Sequence, residues 1–173
     1  MPGSGSTWID FLGFQCHPRG FSYLFDMEEK VSAQSIHLCL QDEAFIERLY
    51  TYMVDEVGNG PFDGGCYLFA KACQSVLGGS IAVLRGSERG GPSIVQHFLL
   101  KVGDNQFLDT SGLRSSLEVC KFWDEEEGVE VADILPVSNK IAYEWACSMS
   151  AHRNERHILG IANLLSDPVA SVS

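Results

Sequence analysis

Two long helical patterns ahead of a run of short apolar segments, with helical spacing returning at the end, predict an α+β fold in a single domain over residues 1–173. The helical patterns lie at residues 42–57 and 65–76, and the strand-like segments at 81–84, 94–102, 106–109 and 129–135. A chain of 173 residues with 45% hydrophobic content and a mean hydropathy of +0.01 can bury one core without disulfide staples.

The elements follow in order. Pro2-Gly3-Ser4-Gly5-Ser6 is linker-like, so residues 1–7, and the tail at 167–173, are expected to be flexible. Residues 8–40 carry Phe11, Phe14, Phe21, Tyr23 and Phe25 without a clear period and receive no assignment. Asp42 reads as a helix start, with Phe45, Ile46, Leu49, Tyr52, Met53 and Val57 at helical spacing, and Gly58-Asn59-Gly60-Pro61 as the stop. The second helix presents Phe69, Ala70, Cys73, Val76 and Leu77 on one face and ends at Gly78-Gly79. After the strand at 81–84, residues 85–92 read as a Gly-rich, charged loop of the kind that moves over a site. Residues 94–102 and 106–109 form a hairpin turned by Gly103-Asp104. Beyond the strand at 129–135, Ser138 caps a helix through Ile141, Trp145 and Met149, and helical spacing continues to Leu165.

The net charge of −11 and pI of about 4.7 oppose binding to nucleic acid and to anionic membrane surfaces, and leave a basic protein as a possible partner. Asp124-Glu125-Glu126-Glu127 reads as a solvated loop. No segment reaches the roughly 18 apolar residues of a membrane span, and the N-terminus lacks the basic and apolar regions of a secretory signal. Six cysteines (16, 39, 66, 73, 120 and 147) show no framework spacing, which points to a reduced, cytoplasmic protein.

Chemistry concentrates around Phe62-Asp63-Gly64-Gly65-Cys66-Tyr67, where two glycines lead a cysteine into the first turn of a helix. A thiol there meets the positive end of the helix dipole and unpaired backbone N–H groups, which favour the thiolate and can also hold an oxyanion. A thiol nucleophile needs a base, and the base needs an orienting group. His97, inside the strand at 94–102, and Asp109, closing the next one, supply them in the order Cys66, His97, Asp109. Side chains alternate along a strand, so His97 and Asp109 share a face only if the hairpin loop has an odd residue count, and a strict two-residue turn would put them on opposite faces. A three-residue turn around Gly103 and Asp104 meets that condition. The plain alternative makes Cys66 a core thiol, His97 a satisfied strand histidine and Asp109 a turn former before Thr110-Ser111-Gly112.

For the oxyanion, the Cys66 backbone N–H is joined by Asn59 as a candidate donor, while Gln96 should point away from the face of His97. His152 and His157 lack the i, i+4 spacing of a helical zinc pair, and Cys16-His17 has no second half, so no metal or other cofactor is expected. The glycines at 86, 90 and 91 match no phosphate-binding pattern.

Gly64-Gly65-Cys66-Tyr67, followed by His97 in a strand and Leu108-Asp109 closing the next, resembles the papain-like cysteine protease superfamily. That group includes NlpC/P60 amidases, transglutaminase-like proteins and arylamine N-acetyltransferases, and the resemblance spans residues 61–112. The spacing of the three residues is nearer the transglutaminase-like and acetyltransferase pattern than that of papain. The acetyltransferases carry Gly-Gly-x-Cys where this chain has Gly-Gly-Cys. The resemblance implies a papain-like core, with an N-terminal Cys66 helix packed on an antiparallel sheet that carries His97 and Asp109. It implies a cysteine-dependent amide hydrolase (peptidase, amidase or deamidase), acting on a protein or peptide amide through a thioester. Two alternatives stand beside it. One is a non-catalytic acidic binding or inhibitor protein on the same fold. The other is a thiol acyltransferase, whose anionic cofactor would need Lys71, Arg85 and Arg89.

Overall fold

The computed structural model describes residues 31–88, 90–149 and 154–166. The expected flexible ends, the unassigned residues 8–30, Arg89 and His152 lie outside that range. The described residues belong to one unit, Val31–Ser173. They form an α+β fold of six α-helices and a five-stranded antiparallel sheet.

Helix α1 (Ala33–Cys39) starts at a capping box in which Ser32 and Ser35 bond reciprocally. Helix α2 (Glu43–Tyr52) is capped by Asp42, whose Oδ1 accepts from the Phe45 N–H at 2.8 Å, as the sequence predicts. Its apolar stripe of Phe45, Leu49, Met53 and Val57 runs on through a wide π-type turn, Met53–Val57, until Gly58 turns left-handed at φ 83°. A second wide turn, Pro61–Gly65, feeds helix α3 (Cys66–Leu77), which is buried along Cys66, Tyr67, Leu68, Phe69, Ala70, Ala72 and Cys73.

The sheet order is β4-β3-β2-β1-β5, with β1 Ser80–Glu88, β2 Ile94–Gly103, β3 Gln106–Asp109, β4 Gly112–Ser115 and β5 Val129–Pro136. One face (Ile81, Val83, Phe98, Leu100, Leu108) packs with α3 in the main core, together with α5 (Asn139–Ser148) and α6 (Glu155–Ser166). The other face (Ala82, Leu84, Leu99, Phe107) is covered by Val119 and Trp123 of helix α4 (Ser116–Glu125). The central strands β1 and β2 are therefore apolar on both sides, which explains the continuous apolar runs at 81–84 and 98–100.

Three expectations change. Residues 85–88 are no loop: β1 is central and pairs Arg85 with Val95 on one side and Asp133 on the other. Gly86 serves close strand approach, since a Cβ there would lie 2.6 Å from Val129 Cγ1 and 2.8 Å from the Glu130 carbonyl. Residues 112–125 hold a strand and a helix, so Asp124 and Glu125 close α4 and do not sit in a loop. The hairpin turn is the two-residue Asp104-Asn105 and not a three-residue one. The odd residue is present all the same, as a bulge at Val102 between the pairs Lys101↔Phe107 and Gly103↔Gln106.

Candidate active site

The thiol is placed by its glycines. Gly64 takes φ 102°, open to glycine at little cost, and Gly65 leaves no room for a side chain. A Cβ on Gly65 would strike Met53 Cε, lie 2.7 Å from the Gly60 carbonyl and 3.3 Å from that of Asn59. The methionine end can swing away; the backbone carbonyls cannot. Gly65→Ala is therefore expected to cost about 3 kcal/mol and to shift the start of α3. Urea unfolding measures it, and a midpoint equal to that of the parent would show that the turn yields freely.

Cys66 is the first residue of α3, and no side chain caps that helix. The β2–β3 pairing Leu100↔Leu108 sets Asp109 opposite Leu99, so His97 is its diagonal neighbour on the same face. His97 Nε2 lies 3.2 Å from Asp109 Oδ2. The His97 ring and the Cys66 thiol lie close enough that each shifts the titration of the other. The structure thus brings together the three residues that the sequence nominates.

All three are deeply buried, at 4% exposure for Cys66, 1% for His97 and 2% for Asp109, so their charges must compensate one another. Burial pushes the Cys66 thiol up, but the His97 charge, its ring hydrogen bond and the backbone N–H groups of Phe98 and Tyr67 bring it below its ordinary value. Burial alone would favour neutral His97, yet the facing Cys66 thiolate and Asp109 raise it to about 9. Burial also opposes the Asp109 charge, and the hydrogen bond and charge of His97, then Arg114 and the Ser111 N–H, outweigh it and lower the carboxyl. Cys39, Cys73 and Cys120 go the other way from Cys66, each raised chiefly by burial. Both shifts run in the direction of a thiolate–imidazolium pair.

Two neighbours escape the sequence reading. Trp123 of α4 lies against the His97 ring, centroids 4.9 Å apart, and closes it from that side. Arg114 of β4 donates from one guanidinium nitrogen to Asp109 Oδ1 at 2.9 Å and Oδ2 at 2.8 Å. A signal for Trp123 was present in Ser115-x-x-Glu118, a capping box ahead of Val119, Phe122 and Trp123. It announces α4 and turns Trp123 inward.

The remaining candidates are placed as follows. Asn59 donates its N–H to the Met53 carbonyl at 3.2 Å and turns its own carbonyl toward Gly65, one residue before the thiol. Gln96 Nε2 donates to the Gly86 carbonyl at 3.3 Å, across β1. Lys71 is engaged by Gln74 and Asn139, and Arg85 faces Asp133 at 3.8 Å, so neither is free for an anionic cofactor. Among the described residues no group of three or more His, Cys, Asp and Glu is placed to hold a metal, and no helix is long and apolar enough to cross a membrane. Compared with protein-family models, with curated proteins and with solved structures, the chain finds no match.

Proposed function

We propose that this chain is a cysteine-dependent amide hydrolase on a papain-like core, acting on a protein or peptide amide in a reducing, cytoplasmic setting. The observation that carries the reading is the continuous link from Cys66 through His97 to Asp109, with the thiol lowered against its burial. The free thiols of Cys39, Cys66, Cys73, Cys120 and Cys147 accord with a reducing compartment.

In the proposed cycle the Cys66 thiolate attacks the carbonyl carbon, and the carbonyl π pair moves onto oxygen. The Cys66 backbone N–H stabilises that oxyanion. His97 gives its ring proton to the amide nitrogen, the C–N bond breaks and the amine leaves. A thioester remains on Cys66. His97 next takes a proton from water, the hydroxide adds to the thioester, and the acid departs as the thiolate re-forms. Asp109 holds the imidazole through both halves. A free amine in place of water would make the same site a transferase; the engaged Lys71 and Arg85 count against an anionic cofactor for that reaction.

An activated ester tests the acyl step. With p-nitrophenyl acetate near neutral pH, one acetyl group is expected on Cys66 by peptide mass spectrometry, with none on Cys66→Ser at that position. Acetylation of Cys66 no faster than that of Cys16 or Cys120 would overturn the proposal.

A further inference from the structure

Arg114 takes no part in the cycle just described, yet it makes the closest contacts to Asp109. One guanidinium nitrogen donates to both carboxylate oxygens, at 2.9 and 2.8 Å, and the Ser111 N–H adds a third donor to Oδ1 at 2.9 Å. These three contacts fix the rotation of the carboxylate, so that Oδ2 faces His97 Nε2. Arg114 is itself held, its guanidinium carbon lying 4.5 Å from the centroid of the Phe122 ring of α4.

We infer that Arg114 is a positioning residue of the Cys66 site, which orients Asp109 and completes a neutral row of alternating charges: Cys66, His97, Asp109, Arg114. The inference rests on the reading of Cys66 as nucleophile. With Cys66 ionised and His97 protonated, the three inner residues sum to one negative charge in a dry interior, and Arg114 cancels it. The other titratable groups close to Asp109 cannot replace it. Tyr50 of α2 and Cys73 of α3 feel its charge and are each raised, by burial first and by Asp109 second, so both remain neutral. Glu118 of α4 faces the outer side of Arg114 and adds negative charge.

Loss of Arg114 disfavours the thiolate by either of two routes. If Asp109 stays ionised, its uncancelled charge opposes a second buried anion. If Asp109 takes a proton, the imidazolium loses its counter-ion and the thiolate loses the imidazolium.

The test follows the Cys66 thiolate by its ultraviolet absorbance, as wild type minus Cys66→Ser, over a pH titration. This readout needs neither a substrate nor access to the thiol. In Arg114→Met, measured against Arg114→Met/Cys66→Ser, the half-rise is expected to move up by about one pH unit, a tenfold loss of thiolate below it. Arg114→Lys keeps the charge and should keep the half-rise near wild type. If the Met variant does not fold, Arg114→Gln, which retains a donor without the charge, is read the same way. A folded Met or Gln variant that titrates with wild type overturns the role of Arg114 and leaves Cys66 standing. A wild-type thiol that titrates like an ordinary one overturns both.

Discussion

His97→Ala is expected to move the Cys66 half-rise from below the ordinary thiol value of about 8.5 to above it. The sign follows from the balance at the thiol. Burial is the largest influence and opposes the charge, so its effect dominates once the imidazolium is removed. An ordinary thiol is only about 3% ionised at pH 7, so the thiolate signal there should fall below that level in the variant. Alkylation by iodoacetamide should slow by a smaller factor than the thiolate signal falls, because a thiolate of higher pKa is intrinsically more nucleophilic. In wild type the pair has an upper limit as well. His97 loses its proton at about 9, and above that pH the thiolate remains but the general acid is gone. Acyl transfer should therefore decline above about pH 9 while alkylation does not. Superimposable titrations of Cys66 in wild type and His97→Ala would remove the base from the site.

Asp109→Asn should lower stability by about 3 kcal/mol in urea unfolding. The substitution preserves shape but leaves the partly buried Arg114 guanidinium and the His97 ring without their counter-ion. The pH dependence separates this loss from a simple packing defect. The Asp109 carboxyl is lowered in the folded protein, so its stabilisation is present above the unfolded value of about 3.9 and is lost as pH falls through the lower folded value. The gap between wild type and Asp109→Asn should thus be full at pH 6 and close in acid. A gap that stays constant from pH 6 to pH 2 would place the damage in packing. The same variant should also raise the Cys66 half-rise, since the imidazolium loses its partner.

The opening of α3 was largely legible in the sequence. Gly64 and Gly65 before an apolar stripe announce a constrained helix start, and Asp42 and Ser138 name their caps by local hydrogen-bonding chemistry. The parity argument reached the shared face of His97 and Asp109 but misplaced its source. A bulge adds one residue as effectively as a longer turn does, and Val102 in an apolar run looks no different from a regular strand residue. The reading of residues 85–88 as part of a loop failed for a related reason. Glycine in a strand that two neighbours approach closely has the same local signature as glycine in a mobile segment, and only the proximity of Val129 and Glu130 tells them apart.

Arg114 marks the deeper limit. It stands five residues beyond Asp109, among short polar residues, and nothing local links the two. The β3–β4 hairpin links them by pairing Phe107 with Arg114 and Asp109 with Gly112, which folds the arginine back over the carboxylate. Trp123 likewise meets His97 only because α4 crosses the second face of the sheet.

By itself, then, the sequence determined the α+β class, the helix starts and the three residues with suitable chemistry, because these depend on periodicity, caps and side-chain type within a few positions. The tertiary structure alone decided that those residues come together, that neighbouring charge drives Cys66 and His97 toward an ion pair against their burial, and that Arg114 belongs with them. Electrostatics in a dry interior is set by neighbours remote along the chain, and only the strand register and the packing of α4 select those neighbours.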